Sequence, residues 1–294
     1  MANQKTRQQR RSEERERAQR LHSKPQTSSR KPLLMAVGGV LGVIAVFAAL
    51  VIAKSLQSSP KPAKKSGGAP AAVVKNATTV PASAYDTIAY QSGVGGLAHI
   101  GGTPLTQNGK PLIVYVGADY CPYCAAERWP LVAALSRFGT FSNLGATHSA
   151  TGDVYPDTAT FSFHGATYTS KYLSFDSVEL YGNRPVGNTY PRLEKPTALE
   201  SSLASKYDPK GTIPFIYLGN WIQTSASYNP QVLAGMSMVE ISQAMRNPQV
   251  VQSQAILGSA NEFTAAICKL TNGQPANVCT SKGVAAAAKH LPAK

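Results

Sequence analysis

Residues Leu33–Ala53, LLMAVGGVLGVIAVFAALVIA, run for 21 positions without a charge or a strongly polar side chain. As a helix rising about 1.5 Å per residue, the run is roughly 30 Å long, the thickness of a bilayer's hydrocarbon core. It is read as one retained transmembrane helix. A cleaved signal peptide is an alternative, since Val51 and Ala53 suit signal peptidase, but such h-regions are usually about 7–15 residues. A buried core helix is the third reading. Residues 1–32 carry 10 Lys/Arg against 3 Asp/Glu, with Arg30 and Lys31 abutting the apolar run. Lys54, Lys61, Lys64 and Lys65 follow it, so the asymmetry is partial, and it places the N-terminus inside and the bulk of the chain outside.

The same distribution answers the nucleic-acid question. The formal charge is +14, but residues 82–294 hold 14 basic and 12 acidic residues. The basic character belongs to the arm and the segment after the apolar run, so no nucleic-acid partner is expected. Residues 54–81, rich in Pro, Ala, Lys, Ser and Gly, read as a semi-extended linker. From Ala82 to the C-terminus the composition is globular.

Within that part, Pro111–Gly117 reads as a buried strand and residues 121–138 as a helix kinked at Pro130. Residues 158–164 and 171–180 alternate apolar and polar side chains, which predicts a hairpin across Gly165. Residues 183–196 read as loop and 197–206 as a helix capped by Thr197. Pro214–Leu218 is a second buried strand, turning at Gly219-Asn220. Residues 238–246 and 248–271 read as helices.

Cys121-Pro122-Tyr123-Cys124 stands where the first apolar strand gives way to a helix. At a helix N-terminus the first sulfur faces unpaired N–H groups and the positive dipole end, which favours a reactive thiolate. The spacing lets dithiol and disulfide interconvert with little backbone movement. Two readings compete: a structural Cys121–Cys124 disulfide, and a zinc site completed by Cys268 and Cys279. A c-type haem site is excluded by Ala125 standing where His is required. Further along, Gly211-Thr212-Ile213-Pro214 opens a strand, where a cis bond before Pro214 is expected and an ordinary trans bond is the alternative.

Together these segments resemble the α/β thioredoxin fold, with an inserted hairpin, loop and helix region and a C-terminal helical extension. More specifically, ADYCPYCAAERWPLVAALSRFGTFSNLG, TFSFHGATYTSKYLSFDSVELYGN, YDPKGTIPFIYLGN and AICKLTNGQPANVC resemble the membrane-anchored thioredoxin-like family catalogued as domain of unknown function 929. The resemblance implies that Cys121 attacks and Cys124 resolves. It makes Pro214 the cis-proline and Ile213 the substrate-pairing residue, with Pro122 and Tyr123 on the substrate side. Many thioredoxin-like enzymes carry a relay carboxylate six residues before the first Cys, but Tyr115 stands there. Asp119, expected to be more exposed, and Glu127 are the candidate relays. Outside the cell, Cys268 and Cys279 are expected to form a structural disulfide closed by the Gly/Pro-containing turn at 271–276, two free thiols being the alternative.

The function expected is a membrane-tethered, extracytoplasmic thiol–disulfide oxidoreductase. Its partners would be protein thiols or disulfides outside the cytoplasm and a redox partner protein, with no cofactor and no metal. The alternative is a non-catalytic binding or scaffold module on the same fold. In the enzyme Cys121 should be exposed and titrate below an ordinary thiol; in the scaffold it should be buried and inert. The insertion at 140–210, rich in Tyr, Ser and Thr, would be the scaffold's recognition surface; Tyr155, Tyr168, Tyr172, Tyr181 and Tyr190 read instead as core and hairpin residues.

Overall fold

The structure, a computed structural model, describes residues 67–91 and 96–293. The expected basic tail at 1–32 and transmembrane run at 33–53 lie outside the described residues. Among the described residues no helix is long and apolar enough to cross a membrane.

The architecture is mixed α/β, organised around strand β3 (Lys110–Gly117). Its LIVYV stretch is buried on both faces, which suits an inner strand covered on each side by helices. Strand β8 (Ser174–Glu179) lies parallel to β3, with Leu112 opposite Ser174 and Gly117 opposite Glu179. Strand β9 (Phe215–Leu218) pairs antiparallel on the other side, with Val116 opposite Phe215. Strand β10 (Trp221–Gln223) returns on β9 through Gly219, whose φ of 63° lies in the left-handed region. Short strands β1 (Ala98–His99) and β2 (Thr106–Gln107) pair with β10 and with the start of β3.

Because side chains alternate along a strand, β3 feeds two cores. Leu112, Val114 and Val116 join Phe215 and Tyr217 beneath helix α4 (Ala198–Tyr207), which contributes Leu203. Ile113 and Tyr115 join Ile216 and Leu218 on the opposite face. There they meet helix α3 (Pro122–Leu135) and the 20-residue helix α6 (Val251–Leu270), which packs against α3. Thr197 caps α4 as expected, and Glu200 reciprocates to complete a capping box.

Two expectations are corrected. The chain is already folded before Ala82: helix α1 (Ala71–Thr78) lies within the segment read as linker and buries Val73 and Ala77 one turn apart. It packs against helix α5 (Met238–Ala244), where Asn76 donates to Ser242 Oγ at 3.3 Å. An eight-residue helix that buries only these two side chains is stabilised by tertiary packing, so composition conceals it. Helix α2 (Ala82–Ile88) follows.

The hairpin across Gly165 is not formed either. Instead β4 (Gly139–Ser142) pairs with β7 (Thr167–Ser170), and β5 (Gly145–His148) pairs with β6 (Ala159–Ser162). The second half of the expected hairpin is β8, drawn into the central sheet. Alternation shows which face a strand buries but not which strand it joins. At the C-terminus, helices α7 (Ala276–Cys279) and α8 (Lys282–Ala288) continue the helical extension.

Candidate dithiol site

The chain leaves β3 at Gly117 and turns through 118–121 into α3. Asp119 N–H donates to Tyr181 O at 2.8 Å, which pins the turn to the segment after β8. Cys121 is the N-cap of α3, Pro122 occupies the first turn, and Cys124 N–H donates to Cys121 Sγ at 3.3 Å. The cap acceptor is thus the Cys121 sulfur itself. Both cysteines are free thiols. The Cys124 thiol, hydrogen-bonded to Cys121, holds the Cys121 pKa below the ordinary value against the opposing effect of burial. The Cys124 backbone N–H and the nearby Arg128 charge act in the same direction. Burial pushes the Cys124 thiol well above its ordinary value. The two thiols are thus shifted in opposite directions, Cys121 down and Cys124 up.

The Ile213–Pro214 bond is cis, and Cys121 Sγ–H donates to Ile213 O at 3.6 Å. The strand-opening loop and the cysteine turn thus meet at one end of the sheet. Tyr123 is exposed at 37 %, whereas Cys121 as a residue is only 5 % exposed, less than expected for an enzyme. A second cis bond, Gln274–Pro275, was not anticipated in sequence.

The candidate relay carboxylates are corrected in part. Asp119 is buried rather than exposed, and burial raises its pKa against the pull of Arg128. Glu127, one helical turn past Cys124 on α3, spends its carboxylate on β10 and the segment after it. It accepts from Ser227 N–H and Oγ, both at 2.6 Å, and from Gln223 Nε2 at 2.8 Å. Burial pushes its carboxyl up to about 7.

Sequence reasoning missed Arg128, one helical turn past Cys124, and Glu179 at the end of β8. The two form a fully buried fork, with Arg128 Nε and Nη2 donating to Glu179 at 2.8 and 2.7 Å. Arg128 also donates to Ala118 O at 2.9 Å, so it braces the turn leading to Cys121. The legible signal was a charged pair, Glu127-Arg128, inside an otherwise apolar helix. The insertion tyrosines are also corrected in part. Tyr155 packs edge-on to Tyr123, and Tyr190 stacks on Tyr120 at 4.4 Å, so both sit beside the cysteine turn rather than in the core. Tyr181 joins that collar at 6.3 Å from Tyr120. Tyr168 and Tyr172 do pack against the main core.

Cys268 and Cys279 are joined as a disulfide, with Cα atoms 5.5 Å apart. Bonded to each other, they are not available to complete a zinc site with Cys121 and Cys124.

Fold and site together define a mixed α/β domain whose central strand delivers a dithiol to a helix N-terminus opposite a cis-proline loop. Residues 97–191 match the family model described as Domain of unknown function (DUF929), a span that holds the cysteine turn and the insertion. No curated protein and no solved structure matches the chain.

Proposed function

We propose that the protein is a thiol–disulfide oxidoreductase of thioredoxin-like fold, tethered to the membrane by residues 33–53 and acting outside the cytoplasm. The fold assignment draws on the strand order β8-β3-β9-β10, four strands of which β9 alone runs opposite to the other three, and on α3, α4 and α6 in their places between and after those strands. The observation that carries the function is the position of Cys121 Sγ. It caps α3, accepts from Cys124 N–H, and lies 3.6 Å from Ile213 O beside cis-Pro214.

In this reading the Cys121 thiolate attacks a substrate disulfide. One substrate sulfur stays on Cys121 as a mixed disulfide and the other leaves as a thiol. Cys124 then attacks Cys121 Sγ, the Cys121–Cys124 disulfide forms, and the second substrate sulfur is released. The reverse sequence oxidises a substrate dithiol, the direction an extracytoplasmic location favours. A protein partner would restore the starting redox state.

The scaffold reading draws on the low exposure of Cys121. The lowered Cys121 pKa favours the enzyme, because a structural buried thiol is ordinarily raised. Trapping separates the two: Cys124→Ala should accumulate mixed disulfides on Cys121, released by reductant and absent from Cys121→Ser. A Cys124→Ala protein that captures no more thiol partners than Cys121→Ser would overturn the oxidoreductase reading.

A further inference from the structure

Three buried polar side-chain atoms without a hydrogen-bond partner lie around the cysteine turn: Tyr115 Oη, Asp119 Oδ1 and Arg128 Nη1. Native interiors leave few such atoms, so a local concentration calls for a function. Tyr115 stands on the face of β3 that looks toward α3, its ring edge-on to Phe163 at 5.0 Å and under the Arg128 guanidinium at 5.8 Å. Its hydroxyl reaches forward along the strand to Gly117. A Cβ on Gly117 would collide with Tyr115 Oη, so the glycine makes room for the hydroxyl. The charged and titratable groups around it are Arg128, Cys124, Glu179 and Cys121. Those around Cys124 are Cys121, Arg128 and Glu179.

Glu179 cannot serve readily as a proton acceptor here. Both of its oxygens are taken by Arg128, and Oε1 also accepts from Phe163 N–H at 3.3 Å. Tyr115 and Arg128, by contrast, each retain a buried donor with nothing to bind. Arg128 lies one helical turn past Cys124 on α3 and Tyr115 packs beneath its guanidinium, so these unspent donors are on the buried thiol's side of the helix, where an anion would need them.

We propose that Tyr115 Oη, held in place by Gly117 and backed by the Glu179-anchored Arg128, is the donor that stabilises the Cys124 thiolate during resolution. The proposal rests on the oxidoreductase reading and gives the residue in the usual carboxylate position a different task. Cys124 S–H loses its proton as its sulfur bonds to Cys121 Sγ and the Cys121–substrate S–S bond breaks. The departing substrate thiolate takes up a proton, so the two cysteines are oxidised by two electrons and the substrate disulfide is reduced.

Tyr115→Phe tests this, because it deletes only an unpartnered hydroxyl. The melting temperature should not fall, while resolution of a preformed Cys121–glutathione mixed disulfide should slow by about 10-fold or more, as expected for one lost hydrogen bond to a charged group. A second readout needs no turnover. In full-length Cys121→Ser protein, Cys124 is the single free thiol beside the Cys268–Cys279 disulfide. Adding Tyr115→Phe should raise the pH midpoint of Cys124 alkylation by about one unit or more. Arg128→Lys, which keeps the charge but loses the fork, should raise it less than Arg128→Met. An unchanged Cys124 midpoint in Tyr115→Phe would overturn the proposal, whatever the wild-type turnover. A wild-type protein that never forms mixed disulfides would overturn the oxidoreductase reading instead.

Discussion

The Tyr228 hydroxyl donates to Ala126 O at 2.8 Å, across 102 residues of sequence. Ala126 lies four residues before Pro130, which has no N–H to return to it. The tyrosine supplies the donor that the helix lacks. Tyr228→Phe should therefore leave a buried carbonyl unpaired and cost about 1–3 kcal/mol. Urea denaturation measures it. A loss no larger than that of an exposed Tyr→Phe would show that the carbonyl is satisfied otherwise.

Cys121 should react with iodoacetamide along a pH profile centred below the roughly 8.5 of a free thiol. The Cys124 thiol is the largest contributor to that shift, so Cys124→Ala should move the midpoint back up. The backbone N–H of position 124 remains as a cap and keeps the recovery incomplete. Mass spectrometry of the 121–128 peptide follows both. A wild-type midpoint at or above 8.5 would contradict the helix-cap account.

Stability should depend on pH through Glu127. Burial holds its folded-state pKa at about 7 against an ordinary 4.5, so the folded chain binds this proton more tightly than the unfolded one. Its stabilising contribution is complete below about 4.5 and is lost as pH rises through about 7. Glu262, also raised to about 7 by burial, acts in the same direction. Glu127→Gln should flatten the decline in unfolding free energy across that window without abolishing it. Equal slopes in variant and wild type would refute the assignment.

Replacing both Cys268 and Cys279 with Ala should cost about 2–3 kcal/mol, the loop-closure value for cysteines 11 positions apart. The pH profile of Cys121 alkylation should be unmoved, since the bridge ties the end of α6 to α7, away from the cysteine turn. A shift of that profile would reveal coupling between the two cysteine pairs.

Much of the site was legible because its signals are local. Cys121, Cys124, Pro214 and the turn at Gly219 each owe their place to neighbours in sequence. The long-range pairings were not legible. That Glu179 lies opposite Gly117, beside Arg128, follows from β8 running parallel to β3, and no periodicity in 171–180 specifies that partner. Asp119 was misjudged because burial of a loop acid depends on Arg128 reaching back from the next helical turn. Helix α1 was hidden in a Pro- and Ala-rich stretch, since its stability comes from the surface it covers rather than from its own eight residues.

The spacing of the four cysteines also bears on how the chain avoids joining the wrong ones. Four cysteines allow three pairings. Cys268 finds Cys279 across 11 residues, and Cys121 finds Cys124 across three. Each mixed alternative would close a loop of roughly 140 residues or more, an entropic handicap of about 2 kcal/mol per bridge relative to the 11-residue loop. Correct pairing is thus favoured while the chain is still unstructured, before any sheet exists to bring distant sulfurs together. The chain can sort its own thiols by proximity alone, closing the C-terminal pair without drawing on Cys121 or Cys124.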